Sequence, residues 1–322
     1  MRAELSQGQI DRYRDEGFLV VDALYDEREL NLWRSAVDAA VERRLSAVRK
    51  AATTLSRPTR LVARLKQLLG SRVVSLLGRM ARAALGDRLV PVGFNGVHQS
   101  FTGLLGTNQG DAARYYAQVY LQCVLLAAES TVVRALACDP RLGRMAGQLS
   151  GASGVRLYHD QALIKPAFGN STALHLDNQF WSFDSAQAMT MWIALDDATL
   201  ANGCMWYLPG SQKTELRAAT TAIGDSFASL LDVYPEWREI EPTPCPMRAG
   251  SVVFHNGRIA HGAGVNLTTR PRRAFALGFM PEGSRFNGRQ DVLPDDYFRR
   301  LAPDALLDDD QVHPLLWTSR AA

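Results

Sequence analysis

The stretch that decides the fold reads N-S-T-A-L-H-L-D-N-Q and covers residues 170–179. Its His175 and Asp177 are two positions apart, and such residues point to the same face of an extended strand. An imidazole and a carboxylate from this segment can therefore converge on one metal ion. The motif by itself is weak, because a surface or core histidine near an acid also arises by chance.

A third ligand is expected from G-S-V-V-F-H-N-G-R-I-A-H-G, residues 250–262. His261 ends this strand-like run, where a jelly roll brings a later strand back beside an earlier one. Two histidines and one carboxylate form a facial triad that leaves coordination positions on iron(II) open. The sequence therefore predicts a metal site formed by His175, Asp177 and His261.

An arginine follows His261 by eleven residues, in R-P-R-R-A-F-A-L-G-F at the start of a predicted strand. The guanidinium of this Arg272 could pair bidentately with a carboxylate beyond the metal. 2-Oxoglutarate carries such a carboxylate at the end opposite its chelating keto acid. Arg270 and Arg273 are close alternatives, and a solvated surface residue is the plain one, so the choice of Arg272 rests partly on spacing.

The N-terminal part of the chain predicts helices. Ser6 precedes an amphipathic helix from Gln7 to Asp15 that ends at Gly17, a short strand follows at Phe18 to Val21, and a longer helix begins near Asp26.

The middle of the chain predicts further helices. Several are expected over residues 45–90, broken at Pro58, Gly70 and Gly78, and residues 91–113 are expected to form a loop. Two more helical stretches follow, Ala112 to Ala128 and Glu129 to Leu149, with Pro140 starting a new turn.

Short segments with β-branched and aromatic residues predict strands after Gly154. They are Val155 to Ile164, Ala188 to Leu195, Cys204 to Leu208, Ser251 to His255 and Arg273 to Met280. Helices first and strands second predict one α+β domain over residues 1–322. Its expected core is a cupin-like jelly roll over residues 150–281, with N-terminal and inserted helices packed outside.

Composition excludes several classes of protein. With 47% hydrophobic and 21% charged residues, the 322-residue chain reads as globular. It lacks a run of about 18 apolar residues and an N-terminal apolar signal, so we expect a cytoplasmic protein that does not enter membranes. A net charge of +3 without a recognition motif argues against nucleic-acid binding. Four scattered cysteines predict free thiols.

Residues 43–88 are strongly basic, with twelve Arg or Lys residues and the single acid Asp87. With the following loop they form a predicted helical insertion over residues 43–111. A solvated helical face is the interpretation that we prefer. A lid over an anionic substrate, such as a phosphate, a coenzyme A thioester or a carrier-bound acyl group, is the alternative.

Several rows of the sequence resemble the phytanoyl-CoA dioxygenase family of non-haem iron oxygenases. The family's H-x-D, distal histidine and arginine match His175, Asp177, His261 and Arg272. The matching rows are L-S-Q-G-Q-I-D-R-Y-R-D-E-G-F-L-V-V, R-L-Y-H-D-Q-A-L-I-K-P, W-I-A-L-D-D-A-T-L-A-N-G-C-M-W-Y-L-P-G-S and H-G-A-G-V-N-L-T-T-R-P-R-R-A. The resemblance covers roughly residues 5–42 and 150–280, and it implies a double-stranded β-helix that uses iron(II), 2-oxoglutarate and dioxygen.

The resemblance also suggests residues around the cosubstrate. Trp192 occupies a place where the family often packs an aromatic ring, although a core tryptophan is the alternative. Ala263 replaces a serine that often contacts the carboxylate, so His159, Gln161 or Thr172 could supply that hydrogen bond. Asp177 itself argues against halogenation, since related halogenases have a small residue there.

The substrate is less well determined. Candidate pocket residues lie on or beside the strands that carry the site, and core packing is the alternative for the aromatic ones. These candidates are Phe180, Trp181, Trp206, Tyr207 and His255, the last of which could instead support the metal site.

The resemblance implies oxidation of a small molecule, by default hydroxylation of a C–H bond with release of succinate and carbon dioxide. Desaturation, ring closure or epoxidation would use the same iron site. Family members with divergent helical insertions include bacterial tailoring enzymes for terpenoid, amino-acid or aminoglycoside-type sugar scaffolds. Alternatives are a cupin-like isomerase or ligand-binding protein without oxygen chemistry, which would not need Arg272, and an inactive binding module, which would not need the triad.

Overall fold

The N-terminal elements lie where the sequence predicts them. In the computed structural model, which describes residues 4–69, 119–217 and 228–319, helix α1 spans Gln7–Glu16. Ser6 and Gln9 form a capping box at its start, and Gly17 ends it with φ of 86°. Strand β1 spans Phe18–Val21. The predicted helix and strand are confirmed.

Helix α2 is longer than the sequence predicts. It spans Glu27–Leu69 without the break expected at Pro58. The expected breaks at Gly70 and Gly78 and the loop at 91–113 lie outside the described residues. The described part of the basic insertion is therefore the second half of one continuous helix.

The helix predicted for Ala112 to Ala128 is wrong in its described part. Residues 119–125 contain strand β2, Leu121–Val124, which pairs with strand β3. Helix α3 follows at Leu126–Glu129. Cross-strand pairing outweighs the local helical pattern here, because Cys123 lies opposite Ala162 and both side chains are buried.

The second predicted helical stretch forms two helices, α4 at Thr131–Ala137 and α5 at Pro140–Ser150, and Pro140 does start the second one. The remaining strands are β3 Gly154–Lys165, β4 Thr172–His175, β5 Met189–Ala194, β6 Met205–Tyr207, β7 Thr243–Cys245, β8 Val252–Asn256, β9 His261–Ala263, β10 Arg272–Pro281 and β11 Leu315–Thr318. Short helices α6 and α7 span Leu230–Val233 and Asp295–Phe298.

Within the described residues the strands form two antiparallel sheets. The larger sheet has the order β1-β8-β5-β10-β3-β11, with β2 also paired to β3, and the smaller has the order β4-β9-β6-β7. Strands β1, β2 and β11 thus belong to the larger sheet, although they lie outside residues 150–281, the jelly-roll core that the sequence predicts.

Strand β10 shows how the core is divided. Phe275, Leu277 and Phe279 belong to the hydrophobic cluster that also contains the helices, whereas Ala274 and Ala276 belong to the cluster between the sheets. Side chains alternate between the two faces of a strand, so Arg272 lies on the same face as Ala274 and Ala276, which is the inner face of the larger sheet. None of the helices in the described ranges is long and apolar enough to cross a membrane.

Candidate metal centre

Three predicted ligands converge between the two sheets. His175 is the last residue of β4 and pairs with His261, the first residue of β9. Asp177 lies just beyond β4, in a 3₁₀ turn at Asp177–Gln179, rather than in a continuing strand. The candidate ligand atoms of the three side chains all lie within 4.8 Å of one another.

Both histidines present the correct nitrogen for a metal. Their Nδ1 atoms lie 2.9 Å from the carbonyl of Ala173 and 3.0 Å from that of Ile259. Because a carbonyl only accepts, each Nδ1 carries the hydrogen and each Nε2 keeps its lone pair. Burial lowers the pKa of His175 and of His261 to about 4, so both rings are neutral near pH 7.

The carboxylate of Asp177 has two differently used oxygens. Oδ1 lies 3.7 Å from Nε2 of His175 and 3.6 Å from Nε2 of His261. Oδ2 accepts a hydrogen bond from Oγ1 of Thr190 at 2.6 Å. Burial alone would raise the pKa of Asp177, but His261, His255 and His175 hold it well below its usual value.

Arg272 is a buried cation beside this centre. Arg272 is 3% exposed. Its Nη1 donates a hydrogen bond to the carbonyl of Gly203 at 2.5 Å, and its Cζ lies 5.0 Å from the centre of the Trp192 ring. Its Nε is buried and has no hydrogen-bond partner among the described residues. Burial lowers the pKa of Arg272 to about 10, which still leaves it charged near pH 7.

The neighbouring arginines differ from Arg272. Arg273 forms ion pairs of 2.6 Å with both Asp38 and Asp196. Arg270 is exposed. Among the described residues no carboxylate forms such a pair with Arg272, so of the three it is the one that would gain most from an added anion.

The other candidates for cosubstrate contact have different surroundings. His159 is 6% exposed, and its Nδ1 has no partner within the described part of the chain. Gln161 bonds to the side chain of Gln122 on β2. Thr172 is buried on β4 opposite Ala263. His159 therefore has the spare polar atom, whereas the Gln161 amide already has a protein partner.

The five candidate substrate residues fall into three groups. The ring of Phe180 lies 6.4 Å from that of His175. Tyr207 and His255 are buried and connect to Asp177. Trp181 packs in a separate cluster with Tyr158, and Trp206 is partly buried against the cluster between the sheets. Phe180 is thus the half-buried aromatic that packs directly against a metal-site histidine.

Sequence reasoning missed three residues of this region, Thr190, Gly203 and Lys165. The sequence did contain a signal for Thr190 and Lys165, because each lies an even number of residues from a candidate site residue on the same strand. Thr190 is two residues before Trp192 on β5, and Lys165 follows His159 and Gln161 on the same face of β3. Gly203 lies in a segment that resembles the family, residues 192–211, but its contact with Arg272 depends on tertiary structure.

The site fits a divalent metal and a dicarboxylate. Two neutral imidazole nitrogens and one carboxylate oxygen, with their remaining polar atoms already bonded, match the donor set of a facial triad. The buried guanidinium of Arg272 lacks a protein carboxylate in the described ranges. An anion would offset the cost of burying this charge.

Comparison with known proteins identifies a family and related structures. The family model described as phytanoyl-CoA dioxygenase (PhyH) matches residues 5–274. Phytanoyl-CoA dioxygenase of Arabidopsis thaliana is 33% identical over 113 residues, which are 35% of this chain and 40% of that protein. Phytanoyl-CoA dioxygenase domain-containing protein 1 of Rattus norvegicus is 29% identical over 159 residues, 48% of this chain and 55% of that protein. The chain spans about half the length of the curated relatives it matches.

Solved structures share the fold. The non-heme alpha ketoglutarate dependent carbocyclase SnoK from nogalamycin biosynthesis aligns with a TM-score of 0.68 and 22% identity over 98% of this chain and 99% of that chain. The structure of EctD from S. alaskensis with 2-oxoglutarate and 5-hydroxyectoine aligns with a TM-score of 0.57 and 19% identity. This alignment covers 94% of this chain and 86% of that chain. The predicted fold class is confirmed.

Proposed function

The chain belongs to the phytanoyl-CoA dioxygenase family, and from this premise we propose that it is an iron(II)- and 2-oxoglutarate-dependent oxygenase acting on a C–H bond of a small molecule. The observation that carries the proposal is the pairing of two sites. His175, Asp177 and His261 present metal-binding atoms, and Arg272 presents a buried cation without a described carboxylate partner. A metal-binding protein without this cosubstrate would have no use for the second site.

The residues divide the work. His175, Asp177 and His261 hold iron(II), and Arg272 neutralises and orients the far carboxylate of 2-oxoglutarate. When bound, iron(II) supplies activation of dioxygen coupled to decarboxylation of 2-oxoglutarate to succinate and carbon dioxide. Trp192 fixes the guanidinium from one side, and the buried inner faces of the sheets exclude water. His159, with its spare Nδ1, is our candidate for a further cosubstrate contact.

For the reaction we favour hydroxylation, within the tailoring of a bacterial secondary metabolite such as a terpenoid, amino-acid or aminoglycoside-type sugar scaffold. SnoK, from nogalamycin biosynthesis, supports this substrate class. SnoK is a carbocyclase, so ring closure is a second outcome that we keep for the same iron site. Phe180, which is half-buried with its ring 6.4 Å from that of His175, is our candidate for substrate contact.

The cupin-like alternative, a metal-dependent isomerase or ligand-binding protein without oxygen chemistry, predicts no carboxylate clamp. The buried position of Arg272 argues against it. An inactive binding module is disfavoured by the intact ligand set.

The test is an anaerobic titration with iron(II) followed by 2-oxoglutarate, which gives a weak visible charge-transfer band when both bind. We expect the band in the wild type, its loss in Asp177→Ala, and a need for much more 2-oxoglutarate in Arg272→Ala. Arg273→Ala, which removes the neighbouring arginine that is paired with Asp38 and Asp196, is the matched control and should titrate like the wild type. A wild type that binds a divalent metal but shows no band would favour the cupin-like alternative.

A further inference from the structure

Asp291 lies in the C-terminal segment, residues 282–319, and a tyrosine of the larger sheet holds its side chain. The hydroxyl of Tyr158 lies 2.8 Å from Oδ2 of Asp291. Tyr158 is the extra residue of a β-bulge in β3, since Gly278 and Phe279 of β10 pair with the two residues that flank it. A bulge redirects a side chain and is common next to active sites. The bulge thus directs Tyr158 to the C-terminal segment.

The C-terminal segment is also bonded to the loop that follows the metal ligand Asp177. The backbone N–H of Asn287 donates to the carbonyl of Ser182 at 2.9 Å. The hydroxyl of Ser182 donates in turn to the carbonyl of Gln290 at 2.9 Å. Asp291 therefore follows directly after a residue that is fixed to the loop of the metal site.

The carboxyl group of Asp291 lies in a depression of the surface. The residue is exposed to solvent, yet the surrounding protein desolvates the carboxyl and raises its pKa to about 6. The Tyr158 hydroxyl and the backbone N–H of Val292 lower this pKa through hydrogen bonds, whereas the charge of Asp177 raises it. The depression is thus close enough to the metal site for the two carboxylates to interact.

The charge of Asp291 has no cationic partner among the described residues. Arg289, two residues earlier, pairs with the carboxylate of Asp184 instead. Its Nε donates to the carbonyl of Trp181 at 3.0 Å. A partly desolvated carboxylate without a cation is unfavourable and is stabilised by an added positive charge. The carboxylate of Asp291 is therefore available to a cationic ligand.

The backbone of Asp291 is in the left-handed region, with φ of 44°. This conformation is unfavourable for a residue other than glycine, and such strained residues cluster at ligand sites. Packing of the C-terminal segment would be served as well by glycine at this position. The presence of an acid with an uncompensated charge therefore requires a separate explanation.

We propose that Asp291 is a specificity residue of the substrate site, and that it binds the protonated amine of a small molecule held next to the metal. The proposal rests on the proposed function and narrows its substrate class. Amino sugars and amino acids carry such a group, whereas a hydrocarbon terpenoid does not. Tyr158 fixes the carboxylate in position, and the uncompensated charge selects a cation over a neutral hydroxyl group.

The experiment compares cyclohexylamine, which is protonated near pH 7, with cyclohexanol, which has the same ring and no charge. Binding is measured by NMR on the protein loaded with cobalt(II) and 2-oxoglutarate, because paramagnetic cobalt broadens the proton signals of a probe that binds near it. The zinc(II) form is the diamagnetic reference. The variant is Asp291→Asn, and the matched control is Asp296→Asn, which removes an exposed acid of the same segment.

We expect the wild type to bind cyclohexylamine about tenfold or more tightly than cyclohexanol, the scale of one charge-assisted contact, with broadening that depends on cobalt. Asp291→Asn should bind the two probes about equally, and Asp296→Asn should keep the preference. Asparagine adopts left-handed backbone and still accepts from Tyr158. Should this variant fail to fold, Asp291→Gly removes the same charge together with the strain and should also lose the preference.

Equal binding of the two probes to the wild type, binding of neither probe, or a preference that survives removal of the Asp291 charge would overturn the proposal. Asp291 would then only fasten the C-terminal segment. A preference for the amine without cobalt-dependent broadening would also overturn it, because the amine would lie away from the metal. A failure of the proposed function gives a different result, since the wild type would then not bind 2-oxoglutarate in the presence of the metal.

Discussion

Nε2 of His255 lies 3.2 Å from Oδ2 of Asp177, the oxygen that does not face His175 and His261. Thr190 donates to the same oxygen, and the hydroxyl of Tyr207 lies 3.0 Å from Nδ1 of His255. The carboxylate is thus fixed from behind by two side chains, so that Oδ1 remains available to the metal. Tyr207 and His255 act on the metal site through Asp177.

Replacing His255 should weaken metal binding without removing a ligand. We expect His255→Ala to bind iron(II) about 10- to 100-fold more weakly than the wild type, the usual cost of losing such a supporting partner. Tyr207→Phe, which leaves His255 in place, should have a smaller effect. Anaerobic competition with a coloured chelator measures these affinities.

The control for His255 is His313→Ala, which removes another buried imidazole, one that lies 3.2 Å from the carbonyl of Tyr158. It should lower stability but leave the iron affinity of the folded protein unchanged. Wild-type iron affinity in His255→Ala would mean that Thr190 alone suffices to hold the carboxylate.

Gly203 is required for two reasons, its conformation and the space around it. It has φ of +86°, and an added Cβ would lie 2.5 Å from the carbonyl oxygen of Gly264. Left-handed backbone in a non-glycine residue costs about 1–3 kcal/mol, and the clash adds to this. We therefore expect Gly203→Ala to lower the free energy of unfolding and, by moving the carbonyl that holds Arg272, to weaken 2-oxoglutarate binding.

Gly283→Ala separates these two causes. Gly283 has φ of +84°, but nothing lies within 4 Å of its added Cβ. Urea denaturation should show a larger loss in Gly203→Ala than in Gly283→Ala, and the anaerobic titration should show weaker 2-oxoglutarate binding only in the former. Equal losses with normal binding would show that the contacts of Gly203 have no role in the site.

The grouping of His175, Asp177 and His261 could be predicted because its signals are local in the sequence or match a family pattern. The contacts of Lys165 and Gly203 with each other could not, since they depend on the register between β3 and β10 and on a turn between strands. The sequence identified Tyr207 and His255 as candidate residues. It could not show whether their side chains line a substrate pocket or form hydrogen bonds that hold Asp177. That distinction requires the direction of each side chain between the sheets.

One error in secondary structure has a similar cause. Residues 121–124 have an apolar pattern that a helix could also use, and pairing with β3 decides in favour of a strand. Pro58 was expected to end a helix, because proline removes one backbone hydrogen bond and clashes with the preceding turn. In the structure, α2 continues through it.

The ring of Trp192 should contribute to cosubstrate affinity. Its position 5.0 Å from Cζ of Arg272 allows a buried cation–π contact, which is worth about 0.5–2 kcal/mol. Trp192→Leu should therefore raise the dissociation constant for 2-oxoglutarate about 2- to 30-fold, and Trp192→Phe should raise it less. Trp317→Leu, on β11 of the same sheet, is the control for losing a large side chain. If Trp192→Leu, Trp192→Phe and Trp317→Leu all bind 2-oxoglutarate with equal affinity, the role of Trp192 is limited to core packing.

Asp160 stabilises the fold in a way that depends on pH. It is 2% exposed, and its two oxygens accept hydrogen bonds from the backbone N–H groups of Leu126 and Ala127 at 2.8 and 3.0 Å. Burial raises its pKa to about 6, although the two N–H groups act in the opposite direction. The folded protein thus holds the proton more tightly than the unfolded chain.

The sign of the effect follows from this raised pKa. The stabilisation from the protonated carboxyl is fully present below the unfolded pKa of 3.8 and is lost as the pH rises through about 6. Asp160→Asn resembles the protonated form at every pH. The unfolding free energy of the wild type minus that of Asp160→Asn should therefore fall by about 2 kcal/mol between pH 4.5 and 7.5. Urea denaturation at several pH values measures it, with the exposed Asp308→Asn as the control for removing a carboxylate. A difference that stays constant across this range would mean that the N–H groups of α3 keep Asp160 ionised despite its burial.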